Sequence, residues 1–256
     1  MRYAVDGGKR LRGFLALESA RVYNVPQGQA LFAAGAVECI HAYSLVHDDL
    51  PCMDDDDLRR GRPTVHLKWD EATAILVGDA LQSFAFELLS RDGAGDAKQR
   101  ITLISALAKA SGAEGMVLGQ ARDIVATTTR APLGLEEVTA LQSGKTGALI
   151  TWSAQAGAIL GRADAAPLQR YAQAVGLAFQ IADDILDVEG NAATAGKRLQ
   201  KDAGAKKATF VSLLGLKGAK ARAADLVAQA EAALTPLGDA AETLRTLACY
   251  MVDRDR

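Results

Sequence analysis

The sequence lacks the features that specify a disulfide-bonded, zinc-binding or membrane-spanning protein. Its three cysteines, Cys39, Cys52 and Cys249, are widely spaced with no CxxC pair, which indicates neither a disulfide framework nor a structural zinc site. No run of about eighteen apolar residues occurs, so no membrane span is expected. Residues 1–6 have no signal-peptide layout, and the expected location is a reducing cytoplasm.

An excess of charge of one sign is also lacking. The 29 basic and 31 acidic side chains leave a formal net charge of -2. Such a chain has no broad basic surface for nucleic acid and no polybasic membrane anchor. Neither partner is therefore expected, and any charge that serves function must be local.

Residues that disfavour helices are scarce: the chain has only six prolines, and aromatic residues, which favour strands, make up 5% of it. Alanine, the best helix former, fills 50 of 256 positions. Apolar residues recur at helical spacing, as at Val77, Leu81, Phe84 and Leu88. The sequence therefore predicts an all-α fold with a single domain spanning residues 1–256. The expected helices cover roughly 8–23, 27–48, 69–91, 98–126, 135–160, 165–189, 206–234 and 239–254.

The densest local charge lies at residues 48–57, DDLPCMDDDD, where six of ten residues are aspartate. Like charges this close repel one another unless cations neutralise them. A solvated acidic loop is the plain alternative. However, Pro51 ends an apolar helix just after Asp48 and Asp49, and an arginine-rich stretch follows at 59–62. Magnesium held by carboxylates beside arginines is a recurring way to bind a diphosphate.

A second acidic cluster, Asp183, Asp184 and Asp187, lies in the segment FQIADDILD. Together with Gln180 it forms one stripe beside the apolar face of a helix. An exposed face paired with lysines is the weaker alternative, because no basic residue lies four positions from Asp183 or Asp187. Donor sets made of oxygen alone suit Mg²⁺ or Mn²⁺ better than zinc.

Five motifs occur in one order along nearly the whole chain. They are GGKRLRG at 7–13, HAYSLVHDDLPCMDDDDLRRGRPT at 41–64, GQARD at 119–123, KTG at 145–147 and GLAFQIADDILD at 176–187. One aspartate motif alone would be weak evidence, but the five in sequence are specific. With them the chain resembles the trans-isoprenyl diphosphate synthase family.

The resemblance implies a bundle of long helices around a central cavity, with the two acidic clusters facing each other across its mouth. It implies a prenyltransferase, in which an allylic diphosphate ionises, the double bond of isopentenyl diphosphate attacks the carbocation, and a proton is lost. The expected substrates are isopentenyl, dimethylallyl and geranyl diphosphate, and a homodimer is expected. Several Mg²⁺ ions, with Mn²⁺ as a substitute, would be held by Asp48, Asp49, Asp54, Asp183, Asp184 and Asp187.

The resemblance also implies which residues contact each substrate. The cations on the allylic diphosphate would be Arg59, Lys145 and Lys197. The site for metal-free isopentenyl diphosphate would comprise Lys9, Arg12, His41 and Arg60. For these residues the plain alternatives are an ordinary basic helix start and a histidine whose hydrogen bonds are satisfied within the helix.

The resemblance implies roles for two further sets of residues. Thr146 and Gln180 would turn neutral oxygens towards the carbocation, which dipoles can stabilise without forming a covalent bond to it. Arg254 and Arg256 match a basic tail that closes the site in relatives.

Product length would be set just before the first aspartate motif. Tyr43 lies five residues before Asp48, about 7.5 Å further along a helix and towards the cavity floor. This ring, with the two-residue expansion Pro51-Cys52, resembles bacterial farnesyl diphosphate synthases, and Ser44 would leave the path open. Two successive condensations are therefore expected; the alternative is that Tyr43 is only a core aromatic residue.

The sequence departs from the family at its start, where additional helical sequence is expected upstream, and at Gly13, where proline is common. The rival functions are a geranylgeranyl diphosphate synthase and, less favoured, a terpene cyclase. From a different class, the chain could be a non-catalytic partner subunit of a prenyl synthase, although both aspartate motifs are complete. A calcium-binding structural domain is the weakest candidate, because no EF-hand spacing occurs.

Overall fold

The computed structural model describes residues 1–128, 133–189 and 208–252. These residues are overwhelmingly helical, so the all-α prediction is confirmed. The α-helices are α1 (Arg2–Val5), α2 (Leu11–Val22), α3 (Gln27–Asp48), α4 (Val65–Lys68), α5 (Glu71–Ser90), α6 (Ala97–Ser111), α7 (Met116–Thr128), α8 (Leu135–Gln142), α9 (Ala148–Gly161), α10 (Ala166–Glu189), α11 (Phe210–Ala233) and α12 (Glu242–Val252). Short 3₁₀ turns cover Asp92–Ala94 and Thr235–Ala241, and a π-turn covers Ser143–Gly147.

Helices α2 and α9 lie at the centre of the bundle and contribute to both of its main cores. One core joins them to α10, α11 and α12, and the other joins them to α3, α5 and α6. The two helices contact each other through Ser19, whose hydroxyl accepts a hydrogen bond from the Gly157 backbone N–H at 3.1 Å. The large buried side chains Leu15, Trp152 and Tyr171 fill these cores.

Several predicted helices have different limits in the structure. The helix expected over 98–126 is two helices, α6 and α7, because the chain leaves the helical conformation at Gly112. The helix expected over 135–160 contains the π-turn between α8 and α9. Part of the helix expected over 206–234 and the end of the one expected over 239–254 lie outside the described residues.

A short antiparallel hairpin follows the first acidic cluster and was not predicted. Strand β1 (Leu58–Arg59) pairs with β2 (Arg62–Pro63). The two turn residues, Arg60 and Gly61, have φ of 56° and 72°, the left-handed conformation that tight hairpin turns require. Two-residue strands carry no alternating pattern, so sequence periodicity gives no signal for them.

Three helical stretches are long and apolar enough to cross a membrane by length and composition alone, namely Gln27–Asp48, Glu71–Ser90 and Ala97–Thr127. The apolar window of α3 is 56% buried within the fold, whereas those of the other two stretches are only 28% buried. The expectation that the chain has no membrane span therefore stays a prediction from sequence.

Candidate active site

A cavity of about 340 Å³ lies where α2, α3, α7 and the π-turn meet. Its lining combines charged side chains with apolar ones, among them Met116 and Leu149. It brings together seven of the predicted site residues, namely Arg12, His41, Tyr43, Ser44, Asp48, Lys145 and Thr146. These residues come from three of the five sequence motifs, which the fold thus assembles around one space.

The π-turn carries Lys145 and Thr146 into this cavity. Helix α7 lies against the turn so closely that a Cβ on Gly119 would be 2.0 Å from the backbone N of Lys145. Only glycine allows that approach. The Lys145 Nζ donates to Asp123 Oδ2 at 2.7 Å, and Asp123 is buried. Both Gly119 and Asp123 belong to the motif GQARD, so the sequence signal was present although neither residue was predicted as part of the site.

Asp48 ends α3 at the edge of the cavity, and burial there raises its pKa from 3.8 to about 6. Lys145 opposes this shift, whereas the neighbouring Asp54 and Asp49 add to it. Asp54 lies in the exposed loop that follows, and its backbone N–H donates to the Asp48 carbonyl at 2.8 Å. The pKa of Asp48 is raised mainly because burial removes water from its carboxylate and so disfavours the charged form.

Asp49 has a different environment from its neighbour. Its carboxylate is buried, and its Oδ1 accepts hydrogen bonds from Arg59 Nε at 2.9 Å and Arg59 Nη2 at 2.5 Å. The same guanidinium reaches Asp56 at 3.2 Å. Asp49 therefore orients Arg59 in this structure, so its predicted role as a metal ligand stays a prediction that competes with this ion pair.

The hairpin turn places Arg60 beside the amino-terminal loop. Its Nη1 donates to the carbonyl oxygens of Asp6 and Gly7 at 3.0 and 3.1 Å. Arg62 of the same hairpin forms an ion pair with Asp6 at 2.8 Å and lies 4.0 Å above the ring of Tyr3. The loop that precedes α2 is therefore fastened to the hairpin that follows the acidic cluster.

Positive charge accumulates around Arg12 and His41. Burial lowers the pKa of Arg12 to about 10, with Arg60 adding to the effect. The Arg12 Nε is buried and has no hydrogen-bond partner in the part of the chain that the structure describes. Burial and then the charges of Arg12, Arg60 and other arginines lower the pKa of His41 well below 6.5. Lys9 lies exposed just before α2. A buried cation with an unused donor fits an anionic ligand.

Gly13, where the family resemblance led us to expect proline, has a role here that proline could not fill. Its backbone N–H donates to Glu38 Oε1 at 2.8 Å. The other carboxylate oxygen of Glu38 forms an ion pair with Arg10 at 3.4 Å. Glu38 thereby links the start of α2 to α3.

The second acidic cluster lies on the last two turns of α10. Asp184 Oδ2 accepts the backbone N–H of Phe210 at 2.7 Å, so it caps the start of α11. Gln180 is half-buried, and neither it nor Asp183 or Asp187 lines the cavity of about 340 Å³. The predicted residues Lys197, Arg254 and Arg256 lie outside the described residues.

Comparison with known proteins agrees with the resemblance that the sequence motifs indicated. The family model described as polyprenyl synthetase matches residues 1–243. The chain belongs to this family. A farnesyl diphosphate synthase from Escherichia coli is 46% identical over 266 residues, which cover 100% of this chain and 88% of that protein. A chloroplastic geranylgeranyl pyrophosphate synthase from Capsicum annuum is 44% identical over 261 residues, covering 100% and 70%.

Solved structures of polyprenyl synthetases agree with the fold. A Zymomonas mobilis protein described as an FPP/GFPP synthase has a TM-score of 0.89 and 50% identity, covering 98% of this chain and 86% of that one. A Helicobacter pylori geranyltransferase complexed with magnesium and isoprenyl diphosphate has a TM-score of 0.84 and 37% identity, covering 98% and 85%.

The donor chemistry of this polyprenyl synthetase fits Mg²⁺, since Asp48, Asp54 and the cluster on α10 offer only oxygen atoms as ligands. Within the described ranges, however, no group of three or more His, Cys, Asp or Glu side chains is close enough to hold a metal ion. Oxygen atoms from the substrate diphosphate and from water would therefore have to complete each coordination shell, as is usual for Mg²⁺.

One further residue of the cavity was missed in the sequence. Gln120 of α7 lines it, and both atoms of its side-chain amide are buried without a hydrogen-bond partner among the described residues. An amide in such a place has unused donor and acceptor capacity that a ligand can meet. Its position in GQARD was the available signal.

The substitution Asp48→Asn is expected to stabilise the metal-free protein at pH 8 by about 1–3 kcal/mol, since it removes a buried carboxylate charge. The sign follows from the pKa, which folding raises from 3.8 to about 6. The proton on Asp48 stabilises the folded state fully below pH 3.8, and this stabilisation is lost as the pH rises through about 6. Urea unfolding with EDTA at pH 5 and pH 8 measures this, and an equal gain at both values would contradict it.

Proposed function

We propose that this polyprenyl synthetase is a farnesyl diphosphate synthase. It condenses isopentenyl diphosphate with dimethylallyl and then geranyl diphosphate, and it releases one diphosphate at each step. The observation that carries the proposal is a single cavity lined by Asp48, Lys145, the cationic Arg12 and the ring of Tyr43. The identity to farnesyl diphosphate synthases over nearly the whole chain supports it.

The difficult step is the departure of the allylic diphosphate, because negative charge builds on its oxygens as positive charge builds on carbon. Lys145 and Arg59 would stabilise that negative charge, and Lys197 would join them. Asp123 holds Lys145 and Asp49 holds Arg59 before the substrate arrives, so little reorganisation is needed when the bond breaks. Asp123 and Asp49 are thus positioning residues.

Asp48, Asp54, Asp183 and Asp187 are the carboxylates we propose as magnesium ligands. When bound, Mg²⁺ would neutralise the charge that develops on the leaving diphosphate. Mn²⁺ would serve as a substitute, since the same hard oxygen donors suit it. Asp184, which caps α11, and Asp49, which pairs with Arg59, would support this site from behind.

The carbocation needs stabilisation by groups that do not bond to it. The hydroxyl of Thr146 lines the cavity, and the amide of Gln180 stands one turn before Asp183. Their oxygen dipoles would stabilise the positive carbon without adding a net charge. Cys52, exposed in the acidic loop, takes no part.

The second substrate would bind without metal on the cationic side of the cavity. Arg12, His41, Arg60 and Lys9 are the residues proposed to hold its diphosphate. The low pKa of His41 leaves the imidazole neutral at neutral pH, so it would act as a hydrogen-bond donor, while Arg12 supplies charge. The unused Nε of Arg12 fits a phosphate oxygen.

Product length separates the proposed function from its nearest rival. Relatives of both kinds are more than 40% identical to this chain over the aligned residues, so overall identity does not decide between fifteen and twenty carbons. The buried ring of Tyr43 in the cavity wall favours the shorter product, whereas Ser44, whose hydroxyl donates to the His41 carbonyl at 3.0 Å, occupies little space.

Incubating the purified chain with Mg²⁺, isopentenyl diphosphate and dimethylallyl diphosphate should release diphosphate and yield mainly a fifteen-carbon product. Chromatography of the dephosphorylated products provides the measurement, with an EDTA-treated sample as the control. A twenty-carbon product would favour a geranylgeranyl diphosphate synthase. A folded protein that releases no diphosphate would favour the non-catalytic subunit.

The substitution Tyr43→Ala should extend the product beyond fifteen carbons, because it removes the largest ring that the cavity wall contains near Asp48. The same chromatographic assay reports the change. Leu31→Ala is a matched control, since Leu31 lies on the same helix but is 53% exposed. Unchanged fifteen-carbon product from the Tyr43 variant would remove this residue from the explanation of length.

We also propose that the chain forms a homodimer through α5, α6 and α7. These helices are apolar yet mostly uncovered in the single chain, with Leu76 66% exposed, Ile101 61% and Val125 57%. Exposed apolar surface on three neighbouring helices is typical of a protein interface. A second copy of the chain would cover it.

A Leu76→Glu variant is expected to be monomeric, because a charge at a buried interface position weakens association by several kcal/mol. Sedimentation velocity of the variant and of the parent protein at equal concentration measures the mass. Leu31→Glu, at an exposed apolar residue on α3, is the control and should leave the mass unchanged. A parent protein that is already monomeric would refute the interface.

The remaining organisation is inferred from the same observations. A single polyprenyl synthase domain is supported by the family match over residues 1–243 and by the contribution of α2 and α9 to both cores. A cytoplasmic location is supported by Cys39, Cys52 and Cys249, which form no disulfide.

A further inference from the structure

Helix α5 packs closely against α3 where Gly78 meets the side chain of His47. A Cβ built on Gly78 would lie 2.0 Å from His47 Nε2, 2.5 Å from Cδ2 and 2.7 Å from Cε1. The imidazole therefore occupies the space that any other residue at position 78 would fill. Its Nε2 also lies 3.1 Å from the carbonyl oxygen of Ile75, one turn earlier on α5.

The other side of the same imidazole faces the cavity. His47 lies one helical turn after Tyr43, and the two rings meet edge to face with centroids 5.8 Å apart. Both side chains line the cavity of about 340 Å³. The His47 ring thus lies between this part of the cavity and the backbone of α5.

We propose that His47, seated against the bare backbone of Gly78, is a second length-limiting residue that acts together with Tyr43 on the growing prenyl chain. The inference rests on the proposed function, since it concerns the length of that product. It differs from the role of Tyr43 in that the limiting group is held in place by a glycine on another helix.

The contact predicts opposite effects for two substitutions. His47→Ala removes the ring and extends the cavity towards Gly78, so the prenyl chain can grow further. Gly78→Ala adds a methyl group where the ring now lies, and the backbone of α5 cannot yield easily because its hydrogen-bonded turns hold it. The imidazole must then turn towards the cavity, which is the open space beside it, and shorten the product.

The variant Gly78→Ala/His47→Ala tests whether the two residues act through each other. Without the imidazole, the new methyl group meets none of the three atoms that now lie nearest to it. The double variant should therefore give the same products as His47→Ala alone. Such strong non-additivity is expected for residues in direct contact and not for independent ones.

The experiment compares the products of the parent protein and these three variants under identical conditions with Mg²⁺ and saturating substrates. We expect the ten-carbon share to rise at least threefold in Gly78→Ala, and products longer than fifteen carbons to appear in His47→Ala and in the double variant. The KM for isopentenyl diphosphate, whose proposed ligands are elsewhere, should change less than threefold.

The matched control is Gly28→Ala, a glycine of α3 whose added Cβ would have no atom within 4 Å. It should leave the product pattern unchanged. Circular dichroism shows whether each variant is folded, and if Gly78→Ala is not, His47→Ala and the double variant still decide. An unchanged fifteen-carbon product from His47→Ala, or additive effects in the double variant, would overturn the inference while leaving the proposed function intact. A parent protein without prenyltransferase activity would instead refute that function.

Discussion

The site depends on holding charges of like sign close together at the ends of apolar helices. Asp48, Asp49 and Asp54 are neighbours at the end of α3, and burial makes the charged form of Asp48 unfavourable. The fold reduces this cost by pairing Asp49 with Arg59 and by keeping Lys145 near Asp48. Burial still disfavours the charged carboxylate of Asp48, and a divalent cation that binds there can offset this cost.

The same constraint accounts for the partners that the fold gives to one carboxylate of each cluster. Asp49 accepts hydrogen bonds from the Arg59 guanidinium, and Asp184 accepts one from the backbone at the start of α11. In each aspartate pair the second residue thus stabilises the surrounding structure. If every aspartate of a motif bound metal, none would form the hydrogen bonds that hold the neighbouring segments in place.

Much of this architecture could be predicted from the sequence, because it is written in local patterns. Helical spacing of apolar residues gave α3 and α10 nearly to the residue, and motif order gave seven of the sixteen residues that line the cavity. The break at Gly112 and the hairpin at 58–63 were missed because they depend on a few backbone angles, which periodicity does not report. The pairing of Asp49 with Arg59 was missed for another reason, since only the fold shows which carboxylate an arginine reaches.

The cavity has two kinds of wall, and they limit different things. Charged residues from α2, α3 and the π-turn are those we propose to bind diphosphates, and the rings of Tyr43 and His47 are those we propose to limit the hydrocarbon. Both walls include α3, so this one helix carries the proposed metal ligand Asp48 and the two proposed length-limiting rings. Changes in product can therefore arise without loss of chemistry.

The π-turn has a mechanical consequence. Lys145 and Thr146 are consecutive in one widened turn, which the backbone of α7 supports from behind at Gly119. The Lys145 ammonium and the Thr146 hydroxyl, which we propose contact the phosphate and face the reacting carbon, are thus parts of one stiff unit. Any displacement that moves the Lys145 ammonium also moves the Thr146 hydroxyl. The contact with the phosphate and the alignment of the carbon would therefore change together.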